Sequence, residues 1–509
     1  MLETYSLRGK DRLLLVAAAI LACLPPLFVD HEPGLREAAH AQSLREMMSS
    51  GNWFVLTIGG LPWLELPPLT QWFAYVSAKV FGVSNVLTAV RLAGMLPLIL
   101  ATLWTASFAA SCSGRRSGML AGFALLTTLG VAENVWHGGN IIWLVAAGSG
   151  FMKLLARLES RLQGRSLSPD RSGDSSGRQR VRIAHVMTVF TLLGLATLIA
   201  GPLAAFATIL IPAAGHVLFR RSLSLKLNNP WITGWILTGL IAIVWPVWAS
   251  SVTGNSPRVW FSFLRSPADF QHSLEQLWRL VQISLPWLPL AVFGQWSIRH
   301  DAFAGGYSRE RLLALWSISV PVAVFLLMPS NMNLALAAAG AWSISAAIGA
   351  EKLTVRVFKE LPMLETRHNR AILQKFLAGS AAVLTLSTVW SDLGGRADQV
   401  DRALLTEARA VAEEGQAVLV DMKLGNQAAA ILLELDDLAT PMHSQRMPES
   451  WENTVLISSE SFQKQAIEQG VVSLISDAGA HQELILVRMA RPMTPATAQI
   501  ASESFSERH

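Results

Sequence analysis

The residue of this sequence best suited to chemistry is Glu65, a lone carboxylate among apolar residues and prolines in GGLPWLELPPL (59–69). The apolar runs around it place it beside a membrane, where an unpaired carboxylate is costly and is most often functional. We predict that Glu65 acts as a general base or holds a cation. The alternative is a carboxylate that only caps or solvates a turn of the loop.

A second carboxylate, Glu37, lies within helical distance of Arg36 and His40. It is either a second acid of the same site or one member of a local ion pair. Arg36 is a cation that suits a phosphate group. Trp63 is positioned either to stack on a sugar or to anchor the loop at the membrane interface, where tryptophan is common.

Two further groups of candidates precede and follow that segment. Asp30 and Glu32 flank His31, a pattern that favours the end of an interfacial helix and has a catalytic or metal-binding role as its alternative. Glu133 and His137 lie near a predicted turn, where they either flank the pocket or are simply solvated.

Composition defines the setting of these residues. The chain has 509 residues, of which 51% are hydrophobic and only 15% charged, and its mean hydropathy is +0.38. Soluble domains of ordinary composition carry about 25% charged residues. A soluble enzyme, a secreted disulfide scaffold and a disordered chain are therefore excluded, and the fold class is a mainly α, polytopic membrane protein.

The apolar runs predict about eleven transmembrane helices, each needing roughly 17–25 mostly apolar residues. The predicted spans lie near 13–29, 88–110, 117–135, 141–156, 184–199, 202–219, 231–250, 277–298, 312–328, 333–350 and 376–391.

Lysine and arginine predict the orientation of these spans. One set of alternate connections carries 24 of them and the other set carries 5. Positive charge accumulates on the cytoplasmic side. We therefore expect an integral protein of the plasma (inner) membrane with a cytoplasmic N-terminus and an extracytoplasmic C-terminal segment.

The segment after Asp392 has a different pattern. AVLVDM (417–422), NTVLISS (453–459), VVSLIS (471–476) and LILVRM (484–489) read as strands, and QAAAILLEL (427–435) and SFQKQAIEQ (461–469) read as helices. Such alternation is typical of a small α/β domain. The sequence thus predicts a transmembrane domain over 1–392 and an extracytoplasmic α/β domain over 393–509.

The first external loop, 30–87, is too structured for a simple connector. Residues 35–49 predict an amphipathic helix lying in the interface, with its apolar residues mainly on one face. A second interfacial helix is predicted over 68–81, after the proline-rich turn that holds Glu65. We predict that the two helices form a lid or entrance over a cavity.

Two blocks of this loop, REAAHAQSLREMMSSGNW (36–53) and GGLPWLELPPL (59–69), together resemble a known family. They are similar in residues and spacing to the lipid-linked-sugar-dependent membrane glycosyltransferases of the GT-C fold, of the aminoarabinose transferase and protein mannosyltransferase type. IAGP (199–202), SLPWLPL (284–290) and MPSNMN (328–333) resemble weaker motifs of the same family.

The resemblance implies transfer of a sugar from a polyprenyl phosphate to an extracytoplasmic lipid, glycan or protein, in contact with membrane lipid and without nucleic acid. Such inverting transfer needs a carboxylate to activate the acceptor. It also needs a cation, either Lys/Arg or a divalent metal ion, against the charge that grows on the leaving phosphate.

Four polar positions of the family pattern are replaced in this sequence, by Arg36, Asn140, Ala200 and Leu66. Asn140 can hydrogen-bond to a substrate but cannot take a proton at neutral pH. Two hypotheses follow: an active transferase in which Glu65 and Glu37 are catalytic, or an inactive homologue that binds lipid-linked substrate or a partner enzyme. In either case the resemblance implies that Arg36, Asn140, Trp63 and Asp30 contact substrate.

A transporter is a less favoured third hypothesis, because the sequence shows no internal repeat.

Overall fold

The structure is a computed structural model of the full chain. It describes residues 6–28, 35–64, 67–83, 85–136, 141–163, 175–218, 229–254, 270–304, 308–360, 378–385, 402–413, 416–421, 424, 426–435, 438–442, 454–459, 472–476 and 484–489.

The chain divides into two compact units. The first comprises Met1–Asp30, Leu64–Phe81 and Arg91–Gly395, and the second comprises His31–Trp63, Gly82–Val90 and Arg396–His509. The first unit is almost wholly helical. The second unit is a mixed α/β structure.

The helices from the N-terminus to the middle of the chain are α1 (Gly9–Cys23), α2 (Pro25–Phe28), α3 (Leu35–Ser50), α4 (Leu69–Phe81), α5 (Val86–Ala93), α6 (Met95–Ser113), α7 (Arg115–Leu126), α8 (Leu129–Trp136), α9 (Ile141–Gln163), α10 (Ser175–Ala200), α11 (Pro202–Ala205) and α12 (Ile211–Leu218). A π-helical segment, Phe206–Leu210, joins α11 to α12.

The later helices are α13 (Asn229–Thr253), α14 (Phe270–Ser284), α15 (Leu288–Ala304), α16 (Ser308–Leu327), α17 (Ala339–Glu360), α18 (378–385 of the described chain), α19 (Arg402–Glu413) and α20 (Asn426–Leu435). A 3₁₀ segment, Pro329–Ala338, joins α16 to α17.

Six helical stretches of the described chain are long and apolar enough to cross a membrane: Val86–Ser113, Ile141–Leu158, Ile183–Ala200, Ile232–Thr253, Arg309–Leu327 and Asn331–Val357. The protein is therefore an integral membrane protein with a mainly helical fold. Pro202–His216 is a shorter apolar helix. The count of eleven spans stays a prediction, since the last predicted span, 376–391, lies partly outside the described residues.

Two segments that the sequence predicts as single spans are each broken into two helices. The first bends by 56° between α7 and α8, and the second by 89° between α14 and α15. The breaks support one another: the Leu129 N–H donates to the Leu285 carbonyl at 2.8 Å, and Trp287 Nε1 donates to Thr127 Oγ1 at 2.8 Å. Because backbone groups freed by a break in a membrane must find partners in the protein, these contacts make both breaks stable.

Glycine sets the closest helix contact of the first unit, between α15 and α17. A Cβ at Gly294 would lie 1.9 Å from the backbone oxygen of Ser345, and one at Gly349 would lie 2.2 Å from the oxygen of Leu290. Small residues that let backbones approach are the usual basis of helix packing in membranes. Most of α17 is buried, which places it in the centre of this unit.

The second unit contains a five-stranded mixed sheet. Its strands are β3 (Ala417–Asp421), β4 (Ala439–Met442), β5 (Thr454–Ser459), β6 (Val472–Ser476) and β7 (Leu484–Met489), in the order β4-β3-β5-β7-β6. β3 pairs in parallel with β4 and β5, and β7 pairs antiparallel with β5 and β6.

The four predicted strands and the helix predicted at 427–435 are all present, as β3, β5, β6, β7 and α20. The sequence missed β4 and α19, and the helix predicted over 461–469 lies outside the described residues.

The predicted helices of the 30–87 loop are also present, as α3 and α4. The amphipathic prediction for α3 is wrong, however, because consecutive positions from Glu37 to Leu44 are buried on every side of the helix. α3 packs on α20 and on a two-stranded hairpin, β1 (Thr57–Ile58) and β2 (Leu61–Pro62). A helix enclosed by protein needs no apolar stripe.

The close contact between α15 and α17 yields a test of stability. Gly294→Ala should lower the thermal unfolding midpoint of the detergent-solubilised protein by a few degrees, since overpacking costs about 1–3 kcal/mol. Gly239→Ala in α13 is the matched control, because its Cβ would meet nothing within 4 Å. A Gly294→Ala protein as stable as the control would contradict this packing.

Candidate functional site

A charged cluster occupies the place where α8, α14 and the 3₁₀ segment meet. The guanidinium of Arg279 forms a short ion pair with Glu133 through Nη2, and its Nε donates to Asn333 Oδ1 at 3.4 Å. The side chains of Arg279 and Glu133 remain 35% and 21% exposed. The cluster thus combines a cation, a carboxylate and an amide that are all within reach of a ligand.

The two span breaks bring these residues together. Glu133 lies one turn after Leu129, where α8 begins, and Arg279 lies in α14 before the break at Leu285. Gly130 allows the close approach, because a Cβ there would lie 2.6 Å from Ile283 Cβ. The bends in the two spans thus allow α8 and α14 to meet.

Two elements of the first unit carry buried polar atoms. Asn331 Oδ1, on the same 3₁₀ segment, and Thr70 Oγ1, in the first turn of α4, are shielded from solvent and have no hydrogen-bond partner within the described chain. Buried polar atoms are normally satisfied by protein, water or ligand. Asn331 also has a non-helical backbone, with φ −127° and ψ 57°.

Several of the predicted site residues lie outside the part of the chain that the structure describes. Glu65, Asp30, Asn140 and Leu66 lie outside the described residues, as do His31, Glu32 and His137. Ala200 ends α10, and the chain then turns at Gly201, whose φ of 87° favours glycine.

The other predicted residues lie in the second unit. Arg36 is exposed at the start of α3, whereas Glu37 is fully buried. The ring of Trp63 meets the ring of His40 edge to face, with 5.5 Å between centroids. The Trp63 N–H donates to the Leu56 carbonyl at 2.7 Å, which fixes the residue beside the β1–β2 hairpin.

Burial also changes the chemistry of His40. Desolvation, helped by the positive charge of Arg36 and opposed by the negative charge of Glu37, lowers the pKa of His40 to about 4. His40 is therefore a neutral imidazole at physiological pH and does not supply a cation.

Sequence reasoning missed Arg279, which is the cation of the charged cluster. Its position inside the predicted span 277–298 was the available signal, since a charge within a span is by default a functional candidate. For Glu133 the sequence left open whether it flanks the pocket or is simply solvated, and its partner could not be deduced from the sequence. The partners lie 146 positions apart in the chain.

Comparison with known proteins identifies relatives over part of the chain. No family model matches it. An Aeromonas salmonicida protein named undecaprenyl phosphate-alpha-4-amino-4-deoxy-L-arabinose arabinosyl transferase is 28% identical over 269 residues, which are 50% of this chain and 44% of that protein. A protein of the same name from Pseudomonas savastanoi pv. phaseolicola is 31% identical over 141 residues, 25% of this chain and 26% of that protein. The matched region thus spans less than half of either relative.

Solved structures match over nearly the whole chain. ArnT from Cupriavidus metallidurans, in a crystal structure bound to undecaprenyl phosphate, has a TM-score of 0.68 at 16% identity over 94% of this chain and 98% of that chain. The oligosaccharyltransferase AglB from Archaeoglobus fulgidus has a TM-score of 0.54 at 10% identity, over 90% of this chain and 70% of that chain. Both are glycosyltransferases of the GT-C fold. The chain has the GT-C fold.

The predicted resemblance is thereby confirmed at the level of the fold. In this GT-C chain, the described residues contain no group of three His, Cys, Asp or Glu side chains that could hold a metal ion. Among the described residues of the charged cluster, Arg279 is the cation.

The buried His40 predicts a dependence of stability on pH. An unfolded histidine has a pKa of about 6.5, so between about pH 6.5 and 4 the unfolded chain binds a proton that the folded chain does not. The contribution of neutral His40 should be complete above pH 6.5 and lost as the pH falls towards 4.

Thermal unfolding of His40→Gln between pH 4 and 7 should therefore show a shallower loss of stability in acid than the unmodified chain. His185→Gln, for which no such burial applies, is the control. Parallel pH profiles for the unmodified chain and His40→Gln would contradict the assignment.

Proposed function

We propose that this chain transfers a sugar from a polyprenyl-phosphate donor to an extracytoplasmic lipid, glycan or protein acceptor. The observation that carries the proposal is the Arg279–Glu133–Asn333 cluster at the junction of two broken spans. It offers the two charges that such chemistry needs.

Arg279 supplies the cation in this proposal. The sequence lacks the family's lysines, which are replaced by Ala200 and Leu66, so another positive group must offset the charge that develops on the leaving phosphate. A guanidinium suits a phosphate because its N–H groups donate in a planar fork. Glu133 and Asn333 hold the same fork in place through an ion pair and a hydrogen bond.

Glu133 and Glu65 supply the carboxylates. When phosphate takes over the guanidinium, Glu133 is released from its ion pair and can accept a proton from the acceptor hydroxyl. Glu65 stays a proposed catalytic residue on the grounds of its sequence context. Asn331 Oδ1 is a hydrogen-bond acceptor, so a sugar hydroxyl can donate to it. An ionised phosphate has no proton to donate and could not satisfy this oxygen.

The class of donor is supported by the names of similar proteins. The curated relatives are named as undecaprenyl-phosphate-linked aminoarabinose transferases, and the ArnT structure holds undecaprenyl phosphate. Membrane lipid and a lipid-linked sugar are accordingly the proposed partners, and a lipid, glycan or protein is the proposed acceptor.

An inactive homologue that binds lipid-linked substrate or a partner enzyme is the second candidate. It is favoured because the charged residues of the family pattern are replaced at four positions, by Arg36, Asn140, Ala200 and Leu66. It is also compatible with Arg279 as a phosphate-binding group. The two candidates differ in one outcome, which is whether the wild type transfers sugar.

The proposed orientation has a cytoplasmic N-terminus, eleven spans over 1–392 and an extracytoplasmic α/β domain over 393–509. It is supported by the partition of lysine and arginine between alternate connections, 24 against 5. Glu133, Arg279 and Asn333 then all lie at the extracytoplasmic ends of their spans. A lipid-linked sugar presents its polar head at that level.

Cysteine labelling tests the orientation. A cysteine in place of Ser459, in β5, should react with a membrane-impermeant thiol reagent in intact cells, and one in place of Ser175, at the start of α10, should react only after lysis. Labelling in the reverse order would overturn the topology.

Sugar transfer from a radiolabelled polyprenyl-phosphate donor by membranes tests the chemistry. Arg279→Gln should reduce transfer by about 10²–10³-fold, because it removes the cation that offsets the negative charge growing on the leaving phosphate. Glu133→Gln and Glu65→Gln should each reduce it by about 10²–10⁴-fold, as expected of a general base. Arg116→Gln, an exposed arginine of α7, is the matched control.

Arg279→Lys should restore part of the activity, since it returns the charge without the fork. Full transfer by Arg279→Gln would overturn the assignment of this site. A wild type that binds donor and transfers nothing across a broad donor panel would instead favour the inactive homologue.

A further inference from the structure

The β1–β2 hairpin has a turn that only glycine accommodates well. Thr57 pairs with Pro62 and Ile58 with Leu61, which leaves a two-residue loop of Gly59 and Gly60. Their φ angles are 61° and 76°, as in a type I′ turn. Successive N–H groups in such a conformation point to one side and form a concavity for an anion.

A carboxylate of this chain fills that concavity. Glu46, in the last turns of α3, accepts hydrogen bonds from the Gly59 N–H at 2.6 Å and the Gly60 N–H at 3.1 Å. It also accepts from Thr57 Oγ1 at 2.6 Å and from Gln42 Nε2 at 2.9 Å. All four contacts lie within the second unit.

The hydrogen bonds to Glu46 add to those that pair the two strands of the hairpin. Hydrogen bonds to an ionised acceptor are stronger than neutral ones. One side chain of α3 therefore ties the helix to β1 and to the turn itself. With glutamine in place of Glu46, one of the Gly59 and Gly60 N–H groups would lose its acceptor or face the amide NH₂, which is another donor.

The hairpin leads directly into the predicted reactive segment. β2 ends at Pro62, and Trp63 follows with its N–H bonded to Leu56 and its ring against His40. Glu65 is two residues further along the chain. The hairpin therefore holds Trp63 in place within the second unit.

We propose that Glu46 is a positioning residue that fixes the β1–β2 turn and, through it, Trp63, which is predicted to contact substrate. It does not touch the reacting atoms. The effect on catalysis rests on the proposed transferase function, whereas the effect on the turn does not.

Hydrogen exchange of the full-length protein in detergent measures the turn directly. In Glu46→Gln, amides of residues 57–60 should exchange about 10–100-fold faster, the effect of leaving one or two shielded donors without a charged partner. Peptides covering β5 should be unchanged. Glu413→Gln, an exposed carboxylate of α19 in the same unit, should leave both regions unchanged.

Transfer kinetics measure the consequence. Glu46→Gln should lower kcat by about 10²-fold, as expected when a substrate-positioning residue such as Trp63 is displaced by about 1 Å, with little change in the donor KM. Glu46→Asp, which keeps the charge, should recover part of the kcat. Gly60→Ala should reproduce the loss of kcat, because its Cβ meets nothing within 4 Å and acts only through the positive φ.

Each result decides a separate point. Unchanged exchange at 57–60 in Glu46→Gln would overturn the proposal whatever the activity. Faster exchange with a kcat equal to that of an active wild type would overturn the positioning role. An inactive wild type would overturn the transferase function alone, since the exchange measurement uses no substrate.

Discussion

The hydrogen bond from the Leu129 N–H to the Leu285 carbonyl is the contact on which the proposed site depends. Each break in a span leaves backbone groups that lipid cannot satisfy, and such groups cost several kcal/mol each. Here the breaks satisfy one another, with Trp287 and Thr127 adding a side-chain bond between the same two regions. The bends therefore occur together, and their consequence is that α8 and α14 converge.

Because α8 and α14 converge, Glu133 and Arg279 lie close enough to form an ion pair. Arg279 and Glu133 are expensive in an apolar setting when separate, and their pairing offsets part of that cost. The pair is partly exposed, so its own contribution to stability is small, about 1 kcal/mol or less. A cation and a carboxylate kept close together without a large gain in stability are suited to exchange partners with a charged ligand.

The second unit depends on a different kind of restraint. Residues 37–44 of α3 are buried and include several polar residues, among them Glu37 and His40. Its later turns hold the hairpin through Glu46, and its middle meets Trp63 through His40. The described part of the loop that resembles the GT-C family is thus held in place by side chains of α3.

The sequence by itself determined the class of the protein, because apolar runs and the scarcity of charge follow directly from the solvent in which a chain must fold. It also determined the strands β3, β5, β6 and β7, whose β-branched runs are local signals. The GT-C resemblance came from local motifs and was confirmed by the fold.

Only the tertiary structure decided the partners of the charged residues. Hydropathy reads a broken span as a straight one, so the bend after α14 and the role of Arg279 were hidden inside a predicted span. The role of Glu46 was also hidden, because two of its partners are backbone N–H groups, which carry no signature in the sequence. Periodicity reports what a helix would prefer to bury, and in α3 the surrounding protein decided what it does bury.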